Sequence, residues 1–267
     1  MTSKYGGYQD SELLVELYDY SNSAVGGIDF YVDYSRKADG PTLELGCGTG
    51  RILIPTAVAG CDIVGLDISY HMLKKCQTKL SLLSNDVRKR AQLVHGNMTK
   101  FNIDRVFSLI TIPYNTFQHL VTIEEQKACL DCVHKHLADN GRFVLDVFNP
   151  DFPRLYDSKY QQEQVVFTNM KLPDNKILSV SSRIAAFHRG NQTNDVELIY
   201  YIGHPDGQQE RIVQAFPFRY FFRYELEHLL AICGFYVAEY FGDYDRSTYS
   251  DESPKMILVA KKTTAGK

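Results

Sequence analysis

The 267-residue chain has no run of about 18 apolar residues, so no bilayer-spanning helix and no membrane partner are expected. It also has no lysine- and arginine-rich block. Its 29 basic residues are scattered among 32 acidic ones, for a formal net charge of -3. Nucleic-acid binders need a basic excess on at least one face, so a nucleic-acid partner is not expected either. The opening Met1-Thr2-Ser3-Lys4-Tyr5-Gly6-Gly7 is polar throughout, and no secretory signal is expected from it. Internal repeats and low-complexity tracts are missing. The cysteines, at positions 47, 61, 76, 129, 132 and 233, fall mostly within core-like elements, which reads as reduced thiols in a cytoplasmic protein. These absences leave an enzyme acting on small molecules as the favoured class. The length suits one large α/β domain with a modest insertion.

Periodicity supplies the architecture. Helices are expected at 11–20 and 28–34, within an N-terminal helical cap of residues 1–39. Strand and helix then alternate: strand 41–45, helix 50–59, strand 62–66, helix 69–83, strands 92–95 and 107–112, helix 123–137 and strand 142–148. Elements of these lengths imply right-handed crossovers and a parallel sheet. The period changes after Pro150. Segments 165–170, 176–188, 196–203 and 211–218 are separated by Pro173-Asp174-Asn175, Arg189-Gly190-Asn191 and Pro205-Asp206-Gly207, which predicts an antiparallel meander. Its apolar face is read as Ile177, Val180 and Ile184 with Val196, Leu198 and Tyr200. A helix at 223–233 and strands at 235–241 and 256–261 finish the chain. The expected domains are therefore the 1–39 cap, a Rossmann-like domain of 40–156 and 219–267, and an inserted antiparallel β lid at 157–218. Such an apolar sheet must cover a cleft or pair with a second copy in a homodimer.

The most informative stretch is Leu43-Glu44-Leu45-Gly46-Cys47-Gly48-Thr49-Gly50, an apolar strand running into three alternate glycines just before a helix. Glycines here permit a tight turn and close approach of a ligand to the backbone. The dinucleotide pattern G-x-G-x-x-G would need glycine at position 51, where Arg51 stands. Asp67 lies 19 positions beyond Gly48, at the end of the second strand, where Rossmann-type folds set a carboxylate against ribose hydroxyls. A cap on the next helix is the alternative role for Asp67, and Ser69 can fill that role too.

The glycine loop resembles motif I of class I S-adenosylmethionine-dependent methyltransferases. Further segments occur in the order found in the small-molecule members, of the type 11 or type 25 methyltransferase domain. They are Tyr18-Asp19, Gly65–Ser69, Gly96-Asn97-Met98, Ile112–Leu120, Leu145–Pro150, Arg223–Leu226 and Gly234-Phe235. The resemblance implies a seven-stranded, mostly parallel sheet of order 3-2-1-4-5-7-6 with strand seven antiparallel, and S-adenosyl-L-methionine as cofactor. It implies cofactor contacts from Tyr18, Glu44, Gly46, Cys47, Gly48, Gly50, Arg51, Asp67, Ile68, Met72, Asn97, Met98, Ile112 and Tyr114. Relatives carry an acid where Asn97 stands; an amide oxygen can still accept from the adenine amine. The acceptor is expected to be a small molecule methylated on nitrogen, oxygen or carbon, because the fold leaves that open.

Methyl transfer requires alignment of donor and acceptor, exclusion of water and, for some acceptors, a base. His119, after the fourth strand, is the candidate base; packing or capping is its other reading. Arg51 is read as a partner of the cofactor carboxylate or as a solvated charge. Cys129-x-x-Cys132-x-His134-x-His136 looks metal-like, but it falls in a predicted helix and no metal is expected. Rival readings are a non-methylating enzyme on the same cofactor and a regulatory protein that keeps the site. Paired acids for aminopropyl transfer are missing after the fourth strand, and the glycine loop is undegraded.

Overall fold

Runs such as Ile63-Val64-Gly65-Leu66 and Leu109-Ile110-Thr111-Ile112 are buried on both faces of the pleat, as strands covered by helices on each side must be. The computed structural model describes residues 7–9, 11–21 and 26–263. In chain order its elements are α1 (Glu12–Ser21), α2 (Ile28–Lys37), β1 (Thr42–Leu45), α3 (Leu53–Val58), β2 (Ile63–Asp67), α4 (Tyr70–Ser81), α5 (Asn85–Arg90) and β3 (Ala91–His95). There follow β4 (Phe107–Ile112), α6 (Ile123–His136), β5 (Leu137–Phe148), α7 (Phe152–Tyr156), β6 (Gln164–Lys171), β7 (Ile177–His188), β8 (Thr193–Gly203) and β9 (Gln209–Arg219). The last elements are α8 (Arg223–Ile232), β10 (Phe235–Phe241) and β11 (Lys255–Lys262). No described helix is long and apolar enough to cross a membrane.

The chain divides into two compact units: residues 26–149 with 221–263, and α1 with residues 150–220. The larger unit is built on a seven-stranded sheet of order β10-β11-β5-β4-β1-β2-β3. Its strands run parallel except β11, which is antiparallel to both β5 and β10. This is the 3-2-1-4-5-7-6 order that the resemblance implied. Alternate residues go to opposite faces, as a period of two demands. Leu43, Val64, Ile110, Ile112, Phe143 and Leu258 meet Leu130 and Val133 of α6 and Leu226 and Leu230 of α8. On the other face, Leu109, Val144 and Val259 meet Phe30, Tyr31 and Tyr34 of α2. Phe143 is fully buried, and its truncation to alanine should cost about 3–5 kcal/mol.

Several boundaries differ from the sequence expectation. The helix after the glycine loop begins at Leu53, because Gly50 has φ +85 and no right-handed turn can include it. Helix α5 was not expected: Asn85-Asp86-Val87-Arg88-Lys89-Arg90 has no apolar stripe, and its mark is the Ser84 cap, whose Oγ accepts from Val87 N at 3.4 Å. Strand β5 starts early, at Leu137, because the turn-like residues 138–141 form an irregularity between the Phe107–Leu137 and Leu109–Arg142 pairs.

The smaller unit is a four-stranded antiparallel sheet, β6-β7-β8-β9, with α1 packed on it. The residues packed there are Leu14 and Leu17 of α1 with Leu178, Val180, Tyr200 and Ile202. Of the expected apolar face, Val180, Leu198 and Tyr200 lie in this core, whereas Ile177 is exposed and its neighbour Leu178 takes the inward place. The expected 1–39 cap is also divided. The apolar stripe of α1 belongs to the smaller unit and the aromatic stripe of α2 to the larger.

Candidate functional site

In the larger unit β1 ends in a loop that the second strand holds by its backbone. Gly46 N and Cys47 N both donate to Leu66 O, at 2.7 and 3.1 Å. Gly48 adopts φ +53, a left-handed conformation that favours glycine. A Cβ placed there would meet nothing nearer than Met72 Sδ at 3.9 Å, so the space in front of this glycine is open. Gly48 N donates to Asp67 Oδ2 at 2.7 Å, and Ser69 N donates to Asp67 Oδ1 at 2.8 Å. A carboxylate has about four acceptor sites, so Asp67 keeps acceptor capacity for a hydroxyl. Ser69, rather than Asp67, caps α4, its Oγ accepting from Met72 N at 3.2 Å. Burial pushes the Asp67 carboxyl upward, and the N–H groups of Ser69 and Gly48 oppose that shift.

Glu44 lies on β1, next to the loop. Burial first, and then the Asp67 charge, push its carboxyl well above the usual carboxylate range. Its Oε2 is buried without a hydrogen-bond partner. Two acids so close, one with an unsatisfied oxygen, form a site made for donors or a positive charge. Met72 is buried and Ile68 exposed beside the loop. Cys47 is buried with the α3 and α4 core, and Ile112 with the α6 core, so their backbones are what they can offer a ligand. Met98 is half-buried against that same α6 core. Asn97 is committed: its Oδ1 accepts from Thr99 N and Thr99 Oγ1, both at 2.9 Å. Both acceptor directions are filled, which leaves the amide NH2 as its recognition group.

After β4 the chain turns at Tyr114 and Asn115, both left-handed with φ 56 and 61. Their N–H groups donate to Asp146 on β5, Tyr114 N to Oδ1 at 2.8 Å and Asn115 N to Oδ2 at 3.3 Å. The Tyr31 hydroxyl, the Tyr244 hydroxyl at 3.1 Å and Lys255 Nζ at 3.3 Å converge on the same carboxylate. None of Asp146, Tyr31, Tyr244 or Lys255 stood out in the sequence, although an acid inside Phe143-Val144-Leu145-Asp146-Val147 is a warning, since buried acids need partners. The Arg51 guanidinium lies 4.1 Å above the Tyr114 ring, and the Tyr114 hydroxyl donates to Gly26 O at 2.9 Å. Arg51 is thus stacked rather than simply solvated.

His119 ends the short 3-10 turn Thr116–His119. Its imidazole keeps surface open to solvent, yet the protein around it removes enough water to push its pKa down to about 4. The shift is downward, so the ring is neutral at neutral pH. Tyr18 is not part of this unit; it lies on α1, its ring edge-on to Tyr8 at 5.2 Å. The metal-like quartet is spent on packing: His136 Nδ1 donates to Cys132 O at 2.8 Å, Nε2 accepts from Ile103 N at 3.1 Å, and Cys129 is buried in the core.

Comparison with known proteins decides what this arrangement belongs to. The methyltransferase-domain family profile matches residues 43–143, from β1 through the start of the apolar run of β5. Over residues 43–143 the sequence, and over the whole sheet the fold, are those of the class I S-adenosylmethionine-dependent methyltransferases. The cypemycin N-terminal methyltransferase of a Streptomyces species is 33% identical over 143 residues, which cover 52% of this chain and 56% of that protein. The match therefore spans about half of that relative's length. The dTDP-3-amino-3,6-dideoxy-alpha-D-glucopyranose N,N-dimethyltransferase of Streptomyces fradiae is 24% identical over 70% of this chain and 66% of its own. In fold, the CcbJ methyltransferase of Streptomyces caelestis matches with a TM-score of 0.73 at 22% identity, covering 96% of this chain and 98% of that one.

The residues present fit S-adenosylmethionine. The open space before Gly48, the orphaned Glu44 oxygen and the unused lone pairs of Asp67 are the features that a ligand carrying an ammonium and a ribose diol requires.

Proposed function

We propose that this methyltransferase acts on a nitrogen, with a primary or secondary amine of an amino sugar or short peptide as the acceptor. The observation that carries this reading is the position of the His119 imidazole in the turn after β4, where the surrounding protein keeps the ring neutral. The names of two relatives support it, one an N-terminal methyltransferase and one an amino-sugar N,N-dimethyltransferase. When bound, S-adenosylmethionine supplies an electrophilic methyl group on a sulfonium. Asp67, Glu44 and the Gly46–Gly50 loop hold it, while Tyr114 and Arg51 narrow access to water.

A base whose pKa is about 4 has little drive to take a proton from an amine, so His119 is weak in the general-base role expected of it. A neutral ring nitrogen can instead accept an N–H from the acceptor, which turns the amine lone pair toward the methyl group. It also adds no positive charge beside a sulfonium. The inserted β6–β9 unit is assigned acceptor selection.

The test is a panel of amino sugars, short peptides with free N-termini, phenols and carboxylic acids, incubated with S-adenosylmethionine. S-adenosylhomocysteine formation and the position of the added methyl are read by mass spectrometry. The reading expects N-methylation of at least one amine. Turnover of phenols or acids with none of the amines would refute it.

A further inference from the structure

Asp146 is fully buried on β5, and all five of its neighbours are donors: two backbone N–H groups, two tyrosine hydroxyls and one ammonium. Here the donors come from α2, from the turn after β4, from the segment after β10 and from β11. The two backbone donors are consecutive non-glycine residues in the left-handed region. Each such residue costs about 1–2 kcal/mol, and such conformations persist only where the surroundings over-determine them. Asp146 supplies that determination through both of its oxygens. The side chain it fixes most directly is Tyr114, which stacks under Arg51 at the start of the segment that follows the glycine loop.

We infer that Asp146 is a positioning residue for methyl transfer: it locks the left-handed turn at Tyr114 and Asn115 and thereby sets turnover without setting cofactor affinity. Asp146 bonds to no group of the Asp67 and Gly48 arrangement, and it reaches Tyr114, the one expected cofactor contact it touches, only through the backbone N–H, which is why the two properties separate. Tyr244 and Tyr31 act as struts, and Lys255 compensates the buried charge at 3.3 Å. The turnover part of the inference rests on the nitrogen-acceptor reading; the structural part does not.

The experiment compares Asp146→Asn and Tyr244→Phe with the wild type in three measurements. These are hydrogen exchange of residues 113–118 against 46–50, S-adenosylhomocysteine affinity by calorimetry, and initial rate with the best amine of the panel. Asp146→Asn keeps the shape but gives the turn one acceptor oxygen instead of two. Exchange should rise at least about tenfold in 113–118 with 46–50 unchanged, as expected of a local opening. Affinity should stay within about threefold while kcat falls about 10²-fold, and Tyr244→Phe should lose about three- to tenfold in kcat. Wild-type kcat in a folded Asp146→Asn, or affinity falling in step with kcat in both variants, would overturn the inference. If Asp146→Asn fails to fold, Tyr244→Phe decides by the same criteria. Absence of turnover with every amine counts against the nitrogen-acceptor reading alone. Exchange then decides: acceleration confined to 113–118 upholds the inference, and unchanged exchange overturns it.

Discussion

The loop after β1 and the turn after β4 stand at neighbouring strands of one sheet, yet they are held in different ways. The first is held by backbone bonds to the adjacent strand and by one carboxylate 19 residues on, Asp67. The second is held by a carboxylate 32 residues on, Asp146, which is itself gripped by Tyr31, Tyr244 and Lys255 at separations of 115, 98 and 109 residues. A loop built by local spacing and glycine conformation tolerates little change in its own residues. A turn built by remote donors should instead be sensitive to changes far from it in sequence, and less so to its own side chains.

The largest effect that would break this contrast belongs to Gly48→Val. A β-branched residue at φ +53 is strained, and its side chain enters the open space before the loop. Binding of S-adenosylhomocysteine should fall at least about 100-fold, or below detection, by calorimetry. Undiminished affinity would show that ligand does not approach this loop. Next in size is replacement of residues 160–215 by a short Gly/Ser linker. Every cofactor residue discussed except Tyr18 lies in the other unit, so affinity should remain within about threefold while amine turnover is lost. A shortened protein that stays active but passes from dimer to monomer would make the insert an assembly element.

His119→Ala should lower kcat by about ten- to 100-fold and leave cofactor affinity unchanged. Wild-type turnover between pH 6 and 9 would make the residue structural. The smallest expected effect is on stability. The unfolded chain protonates His119 at about 6.5, the folded one at about 4. The unfolded state therefore binds the proton first, and this residue's contribution to stability declines as pH falls through about 6.5 and is gone below about 4. The Tm of His119→Gln should accordingly drop less between pH 7 and pH 5 than that of the wild type. An equal drop would remove His119 from the account of acid sensitivity.

The same contrast explains what was legible beforehand. Strands such as Phe107–Ile112 announce themselves as apolar runs, and the glycine spacing with Asp67 is a local pattern that carries its own geometry. The alternation of the insert was readable at Val180, Leu198 and Tyr200 but not at its first position, since Ile177 and Leu178 are both apolar and only packing against Leu14 and Leu17 of α1 chooses between them. The site around Asp146 was invisible for a different reason. Its five donors come from four separate segments, and only the fold brings them together. Asn97 was expected to accept from the adenine amine, but its oxygen is spent within its own turn on Thr99.

The measurement that tests the central claim most directly is calorimetric titration of wild type and Asp67→Ala with S-adenosylhomocysteine and, separately, with NAD. Micromolar binding of S-adenosylhomocysteine by the wild type is expected, with at least about 30-fold loss on removing the carboxylate proposed to receive the ribose hydroxyls, and no measurable binding of NAD. Tight NAD binding, or S-adenosylhomocysteine affinity unchanged in Asp67→Ala, would contradict the account.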